Sequence, residues 1–303
     1  MNAIIRAALA ITLLGPLLSV AAQPAAPAKH DEQNPLFKRL VEDGLEVGPK
    51  VKTKFPAPTM ADGLEAKKQT EIIKGLIAKD YAYDEFTRVS VLAPQLMKIR
   101  DVAGADPKTP ARGVDVWFVV HGDVKLLDDD KFLDKLLTAG KAGGGGGKGG
   151  PLDPKELAAR NIVIKKGDEK RESYGTIEFD FLEKVRLKAT GHAMWSRNDT
   201  SIVAAAEIDP RFLNDKEFPN QWRSITKDTG AVKIGDPNPW SGAAMYVKVT
   251  KLAEPAGAMF VEQHIVFVEP KGWFDGTNLL GSKLPIAVQD NVRTMRREFL
   301  KKK

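Results

Sequence analysis

Four histidines are the side chains best suited to chemistry in this chain, and His121, His192 and His264 fall in segments with strand patterning. Glu262 and His264 stand two apart, which puts both on one face of a strand. With the strand of His192 as a neighbour, imidazoles and a carboxylate would form the donor set that zinc takes. The spacings that mark such sites, His-x-His or His-Glu-x-x-His, are absent. The expectation is that Glu262, His264 and His192 are polar residues of a sheet face and that the chain holds no metal and no other cofactor.

Other chemistries are poorly served. The absence of cysteine excludes disulfides, thiolate nucleophiles and Cys-type metal sites. No Gly-x-Ser-x-Gly elbow is present. Glu178, Asp180 and Glu207 can pair across a sheet, as carboxylates do in many sheets, and nothing singles them out as acid and base. The run Gly143 to Gly150, with Lys148 inside it, lacks the first glycine and the Ser/Thr of a phosphate-binding loop and reads as a flexible segment. Trp222, Trp240, Trp273 and Phe274 sit in loop-like sequence; Trp273-Phe274 is expected to fold back and plug one end of the core. No catalytic residue is assigned, and the chain is not read as an enzyme.

The elements that must position these residues follow from periodicity. Leu64 to Lys79 carries Ile72, Ile73, Leu76 and Ile77 at helical spacing. Phe86 to Arg100 alternates, with a break at Pro94, and Arg112 to His121 alternates more strongly, so the two are expected to pair. Asp128 to Ala139 returns to helical spacing, and a short helix is expected near Pro154 to Arg160. Strands follow over Ile177 to Phe181, Val185 to Trp195, Ile202 to Ile208, Met245 to Val249 and Met259 to Val268. A helix opened by Pro285 ends the chain, with Val288, Val292, Met295 and Phe299 on one face. This order is an α+β pattern: a curved antiparallel sheet of about six or seven strands packed on a long C-terminal helix.

The stretch Tyr246-Val247-Lys248-Val249-Thr250, the turn Glu254-Pro255-Ala256-Gly257, the strand Val261-Glu262-Gln263-His264-Ile265-Val266-Phe267 and the helix from Pro285 resemble the end of the helix-grip fold of START-related and SRPBCC proteins. The resemblance is one of element order over residues 64–302. It implies a cavity between sheet and helix for a lipid or other apolar small molecule, lined by Phe118, Phe179, Trp195, Val247, Phe267, Met295 and Phe299. The alternative is that these residues simply fill the core of a cell-envelope structural or protein-interaction domain.

Arg6, the apolar run Ala7 to Val20 and small residues before Gln23 read as a secretory leader cleaved after Ala22. The expected organisation is a signal peptide at 1–22, an extended or poorly ordered segment at 23–60 in which Leu36 to Leu45 has room for a short helix, and one α+β domain at 61–303 with a flexible glycine-rich loop at 141–151. The expected location is secreted or periplasmic, with no membrane span after cleavage. A net charge of +6, dispersed along the chain, argues against a nucleic-acid partner.

Overall fold

β-branched and aromatic side chains at alternate positions favour a pleated strand. The longest such stretches form the centre of one large sheet in the computed structural model, which describes residues 29–48, 51–102, 110–123, 125–126, 148–165, 171–228, 231–274 and 278–301. The expected leader and its cleavage point, the helix expected over Asp128 to Ala139 and residues 141–147 of the glycine-rich run lie outside the described residues.

The described chain opens with α1 (His30–Gln33), α2 (Pro35–Glu42), the small hairpin β1 (Leu45–Gly48) and β2 (Val51–Thr53), then α3 (Ala66–Ile77) and α4 (Tyr83–Thr87). β3 (Gln95–Asp101), β4 (Ala111–His121), β5 (Lys148–Pro151), α5 (Pro154–Ala158), β6 (Glu172–Phe181), β7 (Val185–Arg197), β8 (Ser201–Ile208) and β9 (Gln221–Asp228) follow. β10 (Ala231–Ile234), β11 (Asn238–Pro239), β12 (Ala243–Lys251), β13 (Ala258–Val268) and α6 (Leu279–Leu300) complete it. The fold is α+β and helix-grip-like: an open antiparallel sheet with a long C-terminal helix on one face. No helix among the described residues is long and apolar enough to cross a membrane.

The sheet has eleven strands rather than six or seven. Its main path runs β10-β9-β7-β8-β12-β13-β4-β3. β6 occupies one edge of β7, while β9 and β8 share the other, at Val185–Lys188 and Gly191–Arg197. The strands missed by alternation are short or polar: β5 is Lys-Gly-Gly-Pro from the end of the glycine run, and Ala231, Val232 and Lys233 of β10 are exposed. In the other direction, Val89 and Val91 belong to no strand; Val89 is 57% exposed in the loop before Pro94, whose missing N–H cannot join a ladder.

Alternation divides the sheet into two faces. One carries Val114, Val116, Phe118 and Val120 of β4 with Val261, Ile265 and Phe267 of β13, and it packs on α6 through Leu284, Val288, Val292 and Phe299. α6 begins at Leu279, six residues before Pro285, because the Asn278 carboxamide accepts from the Gly281 N–H at 3.0 Å and caps the first turn. Its far end is fixed by Arg296, buried on the sheet side. That guanidinium donates to the carbonyls of Val119, Ala93 and Pro94 and lies 5.9 Å from the Phe118 ring. Burial lowers its pKa to about 10, so it stays charged near neutrality.

The opposite face is covered by the N-terminal segment, where α2 falls in the stretch with room for a short helix. Leu36, Phe37 and Leu40, spaced one, three and four apart on α2, are buried with Leu45, Val47 and Phe55 against Met194, Val203, Tyr246 and Val266. Each such side chain contributes roughly 1.5–3 kcal/mol on burial, which orders a segment that its proline content alone would leave loose. Gly44, at φ +86°, makes the bend between α2 and β1; a Cβ there would stand 2.2 Å from the Thr53 carbonyl oxygen. Ile73 and Ile77 of α3 and Phe86 of α4 extend the cover over Trp117, Val119 and Phe260.

Arg296→Met is expected to lower stability by about 2–4 kcal/mol in urea unfolding, because three carbonyls lose a charged donor where water has little access. A loss below about 1 kcal/mol would contradict the clamp assigned to Arg296.

Candidate functional site

The helix-facing layer is ordered in cross-strand rows. One row runs Trp195–Ala204–Val247–Gln263–Val116–Met97 from β7 to β3. On one side of it lies Ile202–Val249–Val261–Phe118, on the other Ala193–Ala206–Met245–Ile265–Val114, and beyond that Phe267 beside Ala243. Phe118, Phe179, Val247, Phe267 and Phe299 are buried in one cluster with this layer, and Met295 packs against it. Trp195 shares the face by alternation but is partly exposed at the end of β7. Six of the seven residues expected around a sheet–helix space therefore pack in one layer, with Trp195 at its margin.

The two ends of the layer differ. At the Phe267 end, Trp273 stacks on Phe267 at 6.2 Å and 14°, and meets Phe181, Trp240 and Trp222 edge-on or tilted. This is the plug expected of Trp273-Phe274, with Phe274 6% exposed. At the other end Trp195, Ile202, Ala204 and Val249 are partly exposed, and the floor between the ends is built of the small side chains Ala189, Ala193 and Ala206. Among the described residues, Gln263 Nε2, Asn291 Nδ2 and Trp273 Nε1 are polar atoms in or beside the layer that are buried without a hydrogen-bond partner. Gln263 was legible in principle, as the one polar residue interrupting Met259-x-Val261-x-Gln263-x-Ile265-x-Phe267; the sequence reading weighed only its neighbours Glu262 and His264.

Those neighbours point the other way, beneath the N-terminal cover. Asp115 Oδ1 accepts from His264 Nδ1 at 2.8 Å, and Glu262 stands 3.6 Å from Nε2, an ion-pair distance rather than a hydrogen bond. Glu262, wholly buried, accepts from the Thr59 and Met60 amides at 2.6 and 3.2 Å. The rings of Trp117 and Tyr246 stand 5.5 and 4.7 Å from that of His264. Burial opposes protonation of His264, but its two carboxylates outweigh it and raise the pKa; Asp115, likewise buried, is lowered by His264 and Arg100.

His192 is not part of this group. Three strands separate β7 from β4, and His192 has its own partners: Glu172 at 2.8 Å, Glu207 at 3.9 Å and the Tyr174 ring stacked at 4.5 Å. Glu207 in turn meets Arg39 of α2 at 2.5 Å. Burial again opposes and the carboxylates again prevail, so the His192 pKa is raised. Glu262, His264 and His192 thus share a sheet face and not a site. Among the described residues no group of three or more His, Asp or Glu is placed to hold a metal ion.

A third polar group was not anticipated. His30 of α1 lies between Ser196, 2.8 Å from Nδ1, and Ser201, 2.7 Å from Nε2. Ser201 donates to Asp62 at 2.5 Å, and the Asn198 amide nitrogen stands 3.2 Å from His30 Nε2. Lys248, buried, donates to Asp62 at 2.8 Å and to the Met60 carbonyl at 2.7 Å. Burial lowers the His30 pKa to about 4. A cleft of about 330 Å³ opens here, lined by Lys29, His30, Phe37, Asp62, Val203 and Lys248 among others. The arrangement contains serine, histidine and aspartate, but both serines are at most 1% exposed and the histidine is held neutral between them. It fastens the N-terminal segment to the sheet rather than activating a nucleophile.

The signs of these shifts define a pH window. His30 takes up its proton at about 6.5 when unfolded and at about 4 when folded, so stability is lost as pH falls between those values. His264 and His192, with raised pKa values, contribute fully below the ordinary histidine pKa of 6.5 and lose that contribution as pH rises through their folded values. In urea unfolding at about pH 6.5 and about pH 4.5, the wild type is expected to lose more stability on acidification than His30→Gln. Equal losses would contradict the neutral, buried state of His30.

No protein-family model and no curated protein matches the chain. Among solved structures, the human StarD13 (DLC2) lipid transfer and protein localization domain is similar to 67% of this chain over 89% of its own, with 8% identity and a TM-score of 0.37. A putative uncharacterized protein from Rhizobium leguminosarum is similar to 69% of this chain over 99% of its own, with 11% identity and a TM-score of 0.27.

Proposed function

We propose that the protein is an exported, non-enzymatic binding protein that holds an apolar small molecule or lipid between α6 and the helix-facing surface of the sheet. The observation that carries this reading is the gradient along that surface. Partly exposed apolar residues at Trp195, Ile202, Ala204 and Val249 lead onto a floor of alanines, and the aromatic plug around Trp273 closes the far end. Binding sites for small apolar molecules are mostly apolar concavities with few polar groups, and this layer has that composition. Export is proposed from the leader sequence, whose residues are removed before the protein acts.

The test is uptake of a solvatochromic lipid probe by the folded protein, compared with the variant Ala204→Trp. The wild type is expected to bind with a blue shift, and the variant, which places a large ring at the open end of a partly exposed row, to bind at least about tenfold more weakly with an unchanged thermal midpoint. Absence of probe binding by the wild type would contradict the reading and favour a packed domain that serves other proteins.

A further inference from the structure

We infer that the guest in this layer is recognised through an uncharged oxygen function, such as a hydroxyl, ketone or ester, held by the side-chain amides of Gln263 and Asn291. The inference rests on the reading of the layer as a binding site. It adds which chemistry the guest carries and which residues select it.

Two observations carry it, one from the sheet and one from the helix. Gln263 is 5% exposed, stands between Val247 and Val116 in its row, and has an Nε2 with no hydrogen-bond partner. Asn291 lies three residues after Val288 and four before Met295, which places it on the sheet-facing side of α6, and its Nδ2 is buried and unpartnered as well. Buried polar groups in folded proteins are almost always paired, because an unpaired one keeps its full desolvation cost. A leucine at either position would remove that cost, so core packing gives no reason for two amides in one apolar layer. A guest that supplies the missing partner does.

The charge of the surroundings selects the kind of partner. Arg112, at the Phe267 end of the layer, is bound by Asp101 and Glu269, and Arg296 is bound by three main-chain carbonyls. An anionic headgroup would have to displace those partners or be buried against neutral amides, which do not offset the desolvation of a full charge. A neutral oxygen needs only a hydrogen bond, and an amide can turn to donate to it or accept from it. Gln263 shares its row with the partly exposed Trp195 and Ala204, so the oxygen would sit toward the mouth with the apolar body directed toward Trp273.

The experiment is competition against the bound probe on the full chain by three compounds of one chain length: a fatty alcohol, the n-alkane and the fatty acid anion. The alcohol is expected to compete roughly five- to tenfold better than the alkane, the return of one neutral hydrogen bond, and better than the anion. Gln263→Leu and Asn291→Leu are expected to erase the alcohol's advantage while leaving the alkane's binding in place. Gln263→Leu is also expected to raise the thermal midpoint of the ligand-free protein, a change opposite in sign to the loss of a structural hydrogen bond. Should the leucine variant not fold, Gln263→Met, closer in shape, reads the same difference. Equal competition by alcohol and alkane on the wild type, or variants that keep the preference, would overturn the inference and leave the cavity reading standing. Failure of all three compounds and of the probe would overturn the cavity reading, and the inference with it.

Discussion

A wide antiparallel sheet with two largely apolar faces has to be covered on both, and without disulfides this chain covers them by packing and buried hydrogen bonds alone. The two covers are built differently. α6 lies on one face with an apolar stripe and a buried guanidinium, Arg296, that grips carbonyls just before β3 and within β4. The N-terminal segment lies on the other with Leu36, Phe37 and Leu40 and a set of polar pairs at His30, Asp62, Lys248, Glu262 and His264. A buried pair of this kind adds little net stability over an apolar one, but breaking it leaves a charge stranded, so it specifies how the cover sits.

That division separates fastening from binding. Every histidine with a raised or lowered pKa lies on the face under the N-terminal segment or its continuation, where each is already held by carboxylates or hydroxyls. On the α6 side, Gln263, Asn291 and Trp273 carry buried polar atoms without hydrogen-bond partners, two neutral amides and an indole. The titratable groups under the N-terminal segment are tied to partners across elements, and those of His30, Asp62 and Lys248 border the cleft beside α1. The helix-facing layer offers an apolar surface with a few neutral donors, and the proposed binding rests on that composition.

The strand core was legible because its alternation is regular: β4, β7, β8, β12 and β13 follow from Val, Ile and Phe at every second residue, and α3 and α6 from spacings of three and four. Of the N-terminal cover only α2 was, near the short helix read at Leu36 to Leu45; α1 has four residues, β1 and β2 three or four, and their order comes from surfaces far away in sequence, such as Met194 and Tyr246. Pairing also lay beyond the sequence. Glu262 and His264 share a face as their spacing of two requires, yet only the strand order shows that His192 belongs to a different group. Gln263 carried its signal openly, as a polar residue in an apolar alternation, and its meaning depends on knowing which face meets α6.

The central claim is that the space between α6 and the sheet receives a guest, and the most direct measurement is native mass spectrometry of the full chain isolated without organic extraction, compared with its mass under denaturing conditions. An excess of a few hundred daltons that disappears on denaturation, with the released compound uncharged and oxygen-bearing, is the expected result. A bare polypeptide under gentle conditions that also stays bare after incubation with apolar compounds would contradict it and leave a fully packed domain in its place.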